Sequence, residues 1–504
     1  MKVHKLTRLM STLSFDIDPI LAGQARLTDA QAYELYKHAS LHDLGQWARQ
    51  ASDRMHPEDY RTYIIDRNIN YTNVCTAKCT FCGFRRDHDD HDHYTLSHAQ
   101  IGQKIEELIA IGGTQIPMQD GVNGRVAIEW YEDLLRFIST TYPTIHIHAF
   151  SPPEFVEFEK FFGLDARDII RRFRDAGLKT VPGGGGEIFA PRVRRRIGST
   201  KCSGDDWLRI MRVCHEEGLS TSCTMMMGHI ETVHERIEHM SALRDMQDYA
   251  RALPIADCRL PIGSQGSREQ VLAEIGSRHP GVFTRSTTDL AAIGNRQLAF
   301  GNFIAFIHWP FQRENVPLGR AKEYDPAIHG DFDLLEHEDV RRGRVVRSAD
   351  AHEYLRMLAI ARLYFDNIAS LQSSWVTMGP KIGQLALHFG ANDMGGAMME
   401  ENVVSAAGTT YTLQVREICR LIRDAGWIPA QRDQYYNVLQ RHDTIENSPD
   451  LQPDPAPRLR NVAKLDDKTW IGAAPGLDAE TRISGPADGA DRSSRLQLNV
   501  LGGN

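Results

Sequence analysis

Three cysteines crowd into eight positions of the chain and offer a compact set of metal ligands. Cys75, Cys79 and Cys82 form the spacing C-x3-C-x2-C directly after a segment with strand character. Soft thiolate ligands in such a tight group suit an iron–sulfur cluster. A four-iron cluster held by three cysteines leaves one iron without a protein ligand, which is useful only where a small molecule binds to that iron.

Zinc is the main competing metal at these cysteines. A structural zinc site closes with four ligands, and the nearest additional candidates are His88, His91 and His93. The unequal spacing of the cysteines is unlike a paired zinc knuckle, so it favours the cluster. The three histidines alternate with four aspartates within seven residues, a composition more typical of a solvated loop than of a metal site.

The composition of the 504-residue chain is that of a globular protein, with 58 Lys and Arg against 66 Asp and Glu. The net charge of -8 gives no general attraction to nucleic acid or to anionic membranes, so we expect neither as a partner. Asp16 and Asp18 stand where the apolar part of a secretory signal would continue. Eight cysteines are too few for a disulfide scaffold, and we expect a cytoplasmic protein.

Short apolar segments alternate with helical ones from residue 62 onward, a pattern typical of a parallel sheet wound by crossover helices. Eight candidate strands are present, at residues 62–70, 113–119, 145–150, 178–183, 220–228, 302–309, 368–375 and 387–392. The simplest fold that uses eight such units is a TIM-barrel-like (β/α)8 barrel of the α/β class.

The predicted domain organisation places this barrel at residues 59–446, after an N-terminal helical cap at 1–58. Residues 250–301 and 321–349 are longer than a normal connection and rich in charge and glycine, so we interpret them as peripheral excursions. Residues 447–504 are polar and rich in proline, which predicts a mostly disordered C-terminal tail.

Polar or glycine-rich residues follow every predicted strand. Active sites of such barrels lie at the C-terminal ends of the strands, so these segments are expected to share one rim. After the cysteine loop they are Gln119–Gly121, His148–Glu154, Pro182–Glu187, Gly228–Glu231, Trp309–Asn315, Ser373–Trp375 and Gly390–Asp393.

The cysteine spacing, with Phe81 just before the last cysteine, resembles the signature of the radical S-adenosylmethionine (radical SAM) enzymes. The resemblance implies a [4Fe-4S] cluster on Cys75, Cys79 and Cys82 whose open iron chelates the amino and carboxylate groups of S-adenosyl-L-methionine. An electron from such a cluster cleaves the sulfonium to methionine and a 5'-deoxyadenosyl radical. A small ferredoxin or flavodoxin is the electron donor that the family implies.

The same resemblance implies cofactor-binding roles for rim residues. Gln119 and Gly121 look like the glycine-rich segment that receives the methionine amino group, Glu187 like the carboxylate that takes the ribose hydroxyls, and Gly228 like part of the segment that packs on adenine. Asp120 is a departure, since relatives read Gln-Gly-Gly where this chain reads Gln-Asp-Gly. A side chain at position 120 is expected to crowd or tilt the methionine end.

Longer stretches narrow the resemblance to the family of cyclic dehypoxanthinyl futalosine synthases, enzymes of the futalosine route to menaquinone. The stretches include IHIHAFSPPE, VPGGGGEI, TMMMGHIET, FIAFIHWPFQREN and SSWVTMGPKIGQLALHFGANDMGG, and the likeness covers about residues 20–440. The resemblance implies dehypoxanthine futalosine as the substrate. Hydrogen abstraction at C4' would let the carbon radical close a ring onto the substrate's own benzoate, before an electron and a ring proton are lost.

A protein base would assist the loss of that proton. The candidates at the predicted rim are Asp393, Glu231 and His148. Three other functions stay open: an aminofutalosine synthase or FO-synthase-like radical SAM enzyme, a non-catalytic zinc-binding module, and a diverged paralogue with another substrate.

Overall fold

The computed structural model describes residues 13–252, 268–283 and 301–452. Most of the predicted tail and most of the 250–301 excursion lie outside these residues. The helices are α1 Asp18–Leu21, α2 Asp29–His38, α3 Leu41–Met55, α4 His98–Ala110, α5 Ile128–Thr141, α6 Pro152–Phe162, α7 Ala166–Ala176, α8 Pro191–Ile197, α9 Gly204–Glu216, α10 Val233–Ala252, α11 Arg268–Arg278, α12 Pro326–His329, α13 Glu338–Arg341, α14 Ala351–Tyr364, α15 Trp375–Met378, α16 Pro380–Ala386 and α17 Val415–Asp424.

Twelve strands are present in the described residues. They are β1 Tyr60–Ile64, β2 Gln115–Met118, β3 His146–Ala149, β4 Thr180–Val181, β5 Ser220–Met227, β6 Phe303–Pro310, β7 Lys322–Glu323, β8 Val345–Val346, β9 Ser370–Gln372, β10 Asp393–Gly396, β11 Ile428–Arg432 and β12 Val438–Arg441.

Ten of these strands form one sheet, in the order β12-β11-β1-β10-β9-β6-β5-β4-β3-β2. All neighbours in it are parallel except β11 and β12, which form an antiparallel hairpin. The sheet curls, and a parallel bridge joins Asp66, just after β1, to Gln115 of β2. The predicted α/β barrel-like fold is therefore confirmed, with the C-terminal ends of the eight barrel strands at a common rim.

Local sequence sets where the crossover helices begin. Ser97, Ser151 and Ser203 each cap the first turn of a helix, and the side chain three residues later bonds back to the capping residue. Such reciprocal caps satisfy N–H groups that the first turn leaves unpaired. The helices start at these points because the serine offers an acceptor just before each apolar stripe.

The apolar core lies between the sheet and the surrounding helices. Strand residues such as Ile116, Ile147, Met225 and Phe306 are at most 1% exposed. The N-terminal helices extend this core, since α3 packs against α14. Within the described residues, we find no helix long and apolar enough to cross a bilayer.

One predicted strand is wrong, and one observed hairpin was not predicted. Residues 387–392 were expected to form the eighth strand, whereas Leu387–Phe389 form a 3-10 helix and the strand is Asp393–Gly396. The β11–β12 hairpin was not predicted. β11 pairs with the first four residues of β1, so the hairpin lies toward the N-terminal end of the barrel.

Candidate active site

The cysteine loop follows β1 and is fixed by backbone hydrogen bonds to neighbouring rim segments. The N–H of Thr76 donates to the carbonyl of Val122 at 3.1 Å, and that of Thr80 donates to the carbonyl of Ile197 at 2.7 Å. Gly83 lies against the backbone of Ala406 in the segment after β10, where an added Cβ would be 2.9 Å from the carbonyl oxygen. The loop is thus held between the segments that follow β2, β4 and β10.

The three sulfur atoms lie on one short loop but are more widely spaced than the ligands of a single tetrahedral ion. Thiolates on a single tetrahedral zinc lie about 3.8 Å apart, given Zn–S bonds of about 2.3 Å. Among the described residues, Cys75, Cys79 and Cys82 do not bring all three sulfurs within 4.8 Å of each other. Burial raises the pKa of Cys79 to about 12, and the other two thiols contribute to the rise. This spacing fits a polynuclear cluster better than a zinc ion.

Glu187 and Lys201 form a buried ion pair beside the cysteine loop. Their oxygen and nitrogen are 2.7 Å apart, and the Lys201 Nζ lies 5.2 Å from the centroid of the Phe81 ring. The second carboxylate oxygen of Glu187 is buried and lies 3.8 Å from Arg194, but it makes no hydrogen bond to a described residue. An unsatisfied buried acceptor is costly, so this oxygen fits a ligand hydroxyl.

The four consecutive glycines after β4 are packed tightly rather than left as a flexible turn. A Cβ at Gly184 would lie 2.1 Å from the Gln119 side-chain oxygen, and a Cβ at Gly186 would lie 2.7 Å from the Thr224 carbonyl. The buried Arg194 donates to the carbonyls of Gly185 and Gly186 at 3.1 and 3.0 Å. The segment therefore has one defined path between β5 and Gln119.

The side chain of Asp120, which we expect to crowd or tilt the methionine end of a bound cofactor, lies on the side opposite to that of Gln119. Side chains alternate about a strand and its extension, and Gln119 turns toward Gly184 while Asp120 turns toward Glu154 and Tyr71. Both carboxylate oxygens of Asp120 are buried and make no hydrogen bond of normal length to a described residue, although the Asn70 amide and the N–H groups of Tyr71 and Thr72 lie nearby. Burial and the charge of Glu154 raise the pKa of Asp120 well above its usual range.

Gly121 is required by a close approach of two backbones. A Cβ at this position would lie 2.1 Å from the carbonyl oxygen of Val74, in the strand extension that leads to Cys75. No side chain fits there unless the cysteine loop moves. Gly121 therefore fixes the distance between the loop and the segment after β2.

Replacing Gly121 with alanine is expected to destabilise the fold by about 1–3 kcal/mol, because overpacking against backbone is relieved only by backbone shifts. Thermal unfolding followed by circular dichroism measures the effect. Gly276 of α11 is the matched control, since a Cβ there meets nothing within 4 Å and its backbone is helical. Equal melting temperatures for Gly121→Ala and the wild type would contradict the close approach.

Gly228 and Glu231 lie in the turn after β5. Gly228 has a φ of 83°, which favours glycine, and an added Cβ would lie 2.7 Å from the backbone nitrogen of Ala349. Glu231 accepts from the N–H groups of Gly228 and His229 at 2.6 and 2.9 Å and from Arg236 at 2.8 Å. Burial raises the pKa of Glu231, but the His229 side chain, Arg236 and the N–H of Gly228 outweigh burial and hold that pKa far below its usual range. These contacts fix Glu231 to the turn after β5.

Asp393, another expected proton acceptor, is also fully engaged. Arg432 of the β11–β12 hairpin donates to both of its oxygens, at 2.6 and 2.9 Å, and Thr62 donates at 2.6 Å. Asp393 pairs with Thr62 near the middle of β1, below the rim where the cysteine loop begins. Its place and its partners favour a structural role in joining the hairpin to the barrel.

Replacing Arg432 with methionine is expected to destabilise the protein by about 3–5 kcal/mol, because it leaves the Asp393 carboxylate buried without its partner. Chemical denaturation measures the loss. The double variant Arg432→Met with Asp393→Leu is expected to recover much of it, since an apolar pair leaves no unpaired charge. An unchanged midpoint for Arg432→Met would contradict the structural role.

His148, the third expected proton acceptor, faces the interior of the sheet. Its Nδ1 lies 2.7 Å from the Thr180 hydroxyl, and the Gln434 side chain approaches the ring at 3.4 Å. Burial is the main reason that its pKa falls to about 3, so the ring is neutral and only weakly basic at physiological pH. This environment suits a neutral hydrogen-bonding group.

Sequence reasoning missed Glu401, a rim carboxylate in the segment after β10. Its Oε1 accepts from the N–H groups of Val403 and Val404 at 3.0 and 2.7 Å. Its buried Oε2 makes no hydrogen bond of normal length to a described residue, although the Asn68 amide lies close enough to lower the pKa of the carboxyl. Burial raises the pKa of Glu401 to about 7. The sequence GGAMMEEN does show two adjacent glutamates after the last predicted strand. It does not show which of their two side chains points into the protein.

Two family models match the chain. The radical SAM superfamily matches residues 69–243, and the CofH/MqnC C-terminal region matches residues 300–445. The first match contains the cysteine loop, Gln119, Gly121 and Glu187. The second contains Asp393 and Glu401.

Cyclic dehypoxanthine futalosine synthases are among the most similar curated proteins. The protein from Halalkalibacterium halodurans is 34% identical over 84% of this chain and 94% of its own length. That from Streptomyces coelicolor is 35% identical over 86% of this chain and 92% of its own length. A 5-amino-6-(D-ribitylamino)uracil–L-tyrosine 4-hydroxyphenyl transferase from Methanopyrus kandleri is 34% identical over a smaller share, 76% of this chain and 85% of its own length.

The fold also occurs among solved structures. Methylornithine synthase superposes with a TM-score of 0.53 at 15% identity, over 82% of this chain and 96% of its own. With cysteines at the rim of a curled parallel sheet, two family models in tandem and relatives above 30% identity along most of its length, the chain belongs to the radical SAM superfamily, in the group that contains the cyclic dehypoxanthine futalosine synthases.

Proposed function

We propose that this protein is a radical SAM cyclase that converts dehypoxanthine futalosine to cyclic dehypoxanthinyl futalosine in the futalosine route to menaquinone. The observation that carries the proposal is the match to a cyclic dehypoxanthine futalosine synthase along 94% of that relative, with the three cysteines placed together at the rim. The reaction forms a carbon–carbon bond within one small-molecule substrate. We place it in the cytoplasm, with a ferredoxin or flavodoxin as electron donor.

Cys75, Cys79 and Cys82 are the residues that would hold a [4Fe-4S] cluster. Their sulfurs do not all lie within 4.8 Å of one another, as a cluster with several iron atoms allows, and they are held on a loop with fixed backbone contacts. When bound, the cluster with S-adenosyl-L-methionine supplies one-electron cleavage of the sulfonium and so a 5'-deoxyadenosyl radical, which removes a hydrogen atom from the substrate.

Four other rim residues would receive S-adenosyl-L-methionine. The Glu187 oxygen that makes no hydrogen bond would accept a ribose hydroxyl, while Lys201 holds the other oxygen in place. Gln119 and Gly121 border the methionine end, and Gly228 allows the turn after β5 to approach the adenine. Phe81, beside Lys201, covers one side of the cluster loop.

Glu401 is our proposed proton acceptor for restoring the aromatic ring. Asp393, Glu231 and His148 lack either a free acceptor or sufficient basicity, as described above. The buried Oε2 of Glu401 makes no hydrogen bond of normal length, with the Asn68 amide nearby, and a pKa of about 7 suits a group that takes up a proton near neutral pH. Val403 and Val404 hold the other oxygen, so the carboxylate is oriented before substrate arrives.

The test is an anaerobic assay of the reconstituted protein with dehypoxanthine futalosine and S-adenosyl-L-methionine. We expect equal amounts of 5'-deoxyadenosine and the cyclised product, followed by mass spectrometry. Parallel reactions contain an enolpyruvyl benzoate, or tyrosine with 5-amino-6-(D-ribitylamino)uracil. Turnover of either of these without turnover of dehypoxanthine futalosine would move the protein to aminofutalosine synthase or to the transferase group.

A further inference from the structure

Three metal-ligating side chains converge in the 321–349 excursion, away from the cysteine loop. His329 ends α12, His337 immediately precedes α13, and Asp339 lies in α13. One ligand atom from each residue lies within 4.8 Å of the others, and the two imidazole centroids are 4.9 Å apart at 84°. In the described part of the chain, no other group of three His, Cys, Asp or Glu comes this close.

The His329 ring is already oriented as a ligand. Its Nδ1 lies 2.8 Å from the carbonyl oxygen of Asp325 and 3.0 Å from the backbone N–H of the same residue, so it can donate to the first or accept from the second. When Nε2 binds a metal ion, Nδ1 carries the ring proton and donates to the carbonyl, as metal-binding histidines usually do. Its Nε2 has no hydrogen bond to any described residue. The ring itself is buried, at 8% exposure, so it moves little between side-chain conformations.

His337 and Asp339 approach the ring of His329 from the other helix. The N–H of Asp339 donates to Nδ1 of His337 at a long 3.2 Å, which leaves Nε2 of His337 without a described partner. When Nε2 of His337 binds a metal ion, the long hydrogen bond from the N–H of Asp339 is lost and a metal–nitrogen bond replaces it. The Asp339 carboxylate contacts only the exposed Arg344, at 3.1 Å, among its described ion-pair partners.

The donor set identifies the class of ion. Two imidazoles with one carboxylate suit zinc or a similar transition metal, whereas magnesium and calcium prefer oxygen ligands alone. Ligand atoms on tetrahedral zinc lie about 3.4 Å apart for bonds of about 2.1 Å, so small side-chain rotations complete the site. Water would take the fourth position.

The excursion has little apolar burial of its own to hold its two short helices together. Its separate core consists of Phe332, Val340 and Val345, with Tyr324 and Leu335 packed against them. So small a core supplies little stability, and natural short segments often add a metal ion for that reason. An ion held by α12 and α13 would join the two helices across the turn between them.

The same excursion supports the turn after β5. The N–H of Arg347 donates to the carbonyl of His229 at 2.8 Å, and Ala349 packs so closely on Gly228 that an added Cβ there would be 2.6 Å from the Ala349 methyl. Gly343 likewise lies beside Ile230. Whatever fixes the excursion therefore also fixes the Gly228–Glu231 turn.

We propose that His329, His337 and Asp339 bind one zinc-class ion that fastens the 321–349 excursion against the turn after β5. The metal site itself is independent of the proposed function. Only its consequence for the adenine side of the cofactor site rests on that function.

Zinc content of the iron-loaded full chain tests the site. The protein is reconstituted anaerobically, incubated with zinc chloride, desalted and analysed for iron and zinc by mass spectrometry. We expect one zinc per chain beside the cluster iron, and a loss of zinc affinity of at least tenfold in His337→Ala and in Asp339→Asn. The exposed His91→Ala is the matched control and is expected to keep its zinc.

Hydrogen exchange of the peptides from residues 321–349 gives a second readout without substrate. Zinc is expected to slow exchange there in the wild type and not in His337→Ala. The site is disproved if the wild type keeps no more zinc than His337→Ala, or if only removal of His88, His91 and His93 abolishes binding. If the wild type binds zinc but does not convert dehypoxanthine futalosine, the result would instead count against the proposed function.

Discussion

Cys79→Ala is expected to lose both the visible absorbance of the iron–sulfur cluster and the cleavage of S-adenosyl-L-methionine. A cluster held by three thiolates has no spare protein ligand, so removal of one sulfur leaves two iron atoms without one. Cleavage should fall to the level of the protein without iron. Iron and sulfide content, absorbance and 5'-deoxyadenosine are measured on the same anaerobic preparation, and Cys75→Ala and Cys82→Ala should behave alike.

Cys419→Ala is the matched control for this experiment. Cys419 is buried in α17, outside the cysteine loop. Its replacement removes a sulfur from the core but not from the site, so we expect full absorbance and cleavage. Retention of both signals in any of the three loop variants would contradict the assignment of that cysteine as a ligand.

Glu401→Gln is expected to lower formation of the cyclised product by about 10²- to 10⁴-fold, the usual contribution of a positioned general base. Cleavage of S-adenosyl-L-methionine should persist, because the amide does not alter the cysteine loop. The measurement is the ratio of cyclised product to 5'-deoxyadenosine. A variant that retains the wild-type ratio and rate would show that Glu401 is not the proton acceptor.

Glu400→Gln is the control at the adjacent position. Glu400 pairs with Arg67 at 2.8 Å and Lys104 at 2.6 Å, so its loss affects a partly buried ion pair instead of the rim. We expect a small loss of stability and, at about pH 8 and above, where Glu401 is ionised in both proteins, an unchanged product ratio.

The pH dependence offers a separate check on Glu401. A base must be ionised to accept a proton, and burial raises the pKa of Glu401 to about 7, with the charge of Glu400 adding to the rise. The Asn68 amide and the N–H groups of Val403 and Val404 oppose it. Product formation should therefore rise with pH across about pH 6 to 8 and level off above. A rate that falls over this range would contradict the role.

The barrel and the cysteine loop could be predicted because each depends on residues that are close together in the sequence. Alternating apolar segments set the strands, serine caps set the helix starts, and C-x3-C-x2-C lies within one loop. The glycines at 121 and 183–186 were recognised as unusual, but their cause is a neighbouring backbone that is distant in sequence. Only the structure reveals that Val74 and Thr224 leave no room for a Cβ.

The roles of single carboxylates could not be predicted, because they depend on partners far along the chain. From the GAND sequence alone, Asp393 was expected to be free to accept a proton. In the structure Arg432 donates to both of its oxygens, and the hairpin that carries Arg432 has no clear strand pattern in the sequence. Glu231 was likewise expected to be a proton acceptor at the rim. In the structure it accepts hydrogen bonds from Arg236 and from two backbone N–H groups. The role of Asp120 similarly depends on the direction in which its side chain points.

Transfer of deuterium from C4' of dehypoxanthine futalosine to 5'-deoxyadenosine tests the central claim most directly. The cluster-loaded protein is incubated anaerobically with the C4'-deuterated substrate, a reductant and S-adenosyl-L-methionine. We predict 5'-deoxyadenosine carrying one deuterium, in an amount equal to the cyclised product. Unlabelled 5'-deoxyadenosine, or cyclised product formed without any 5'-deoxyadenosine, would contradict it.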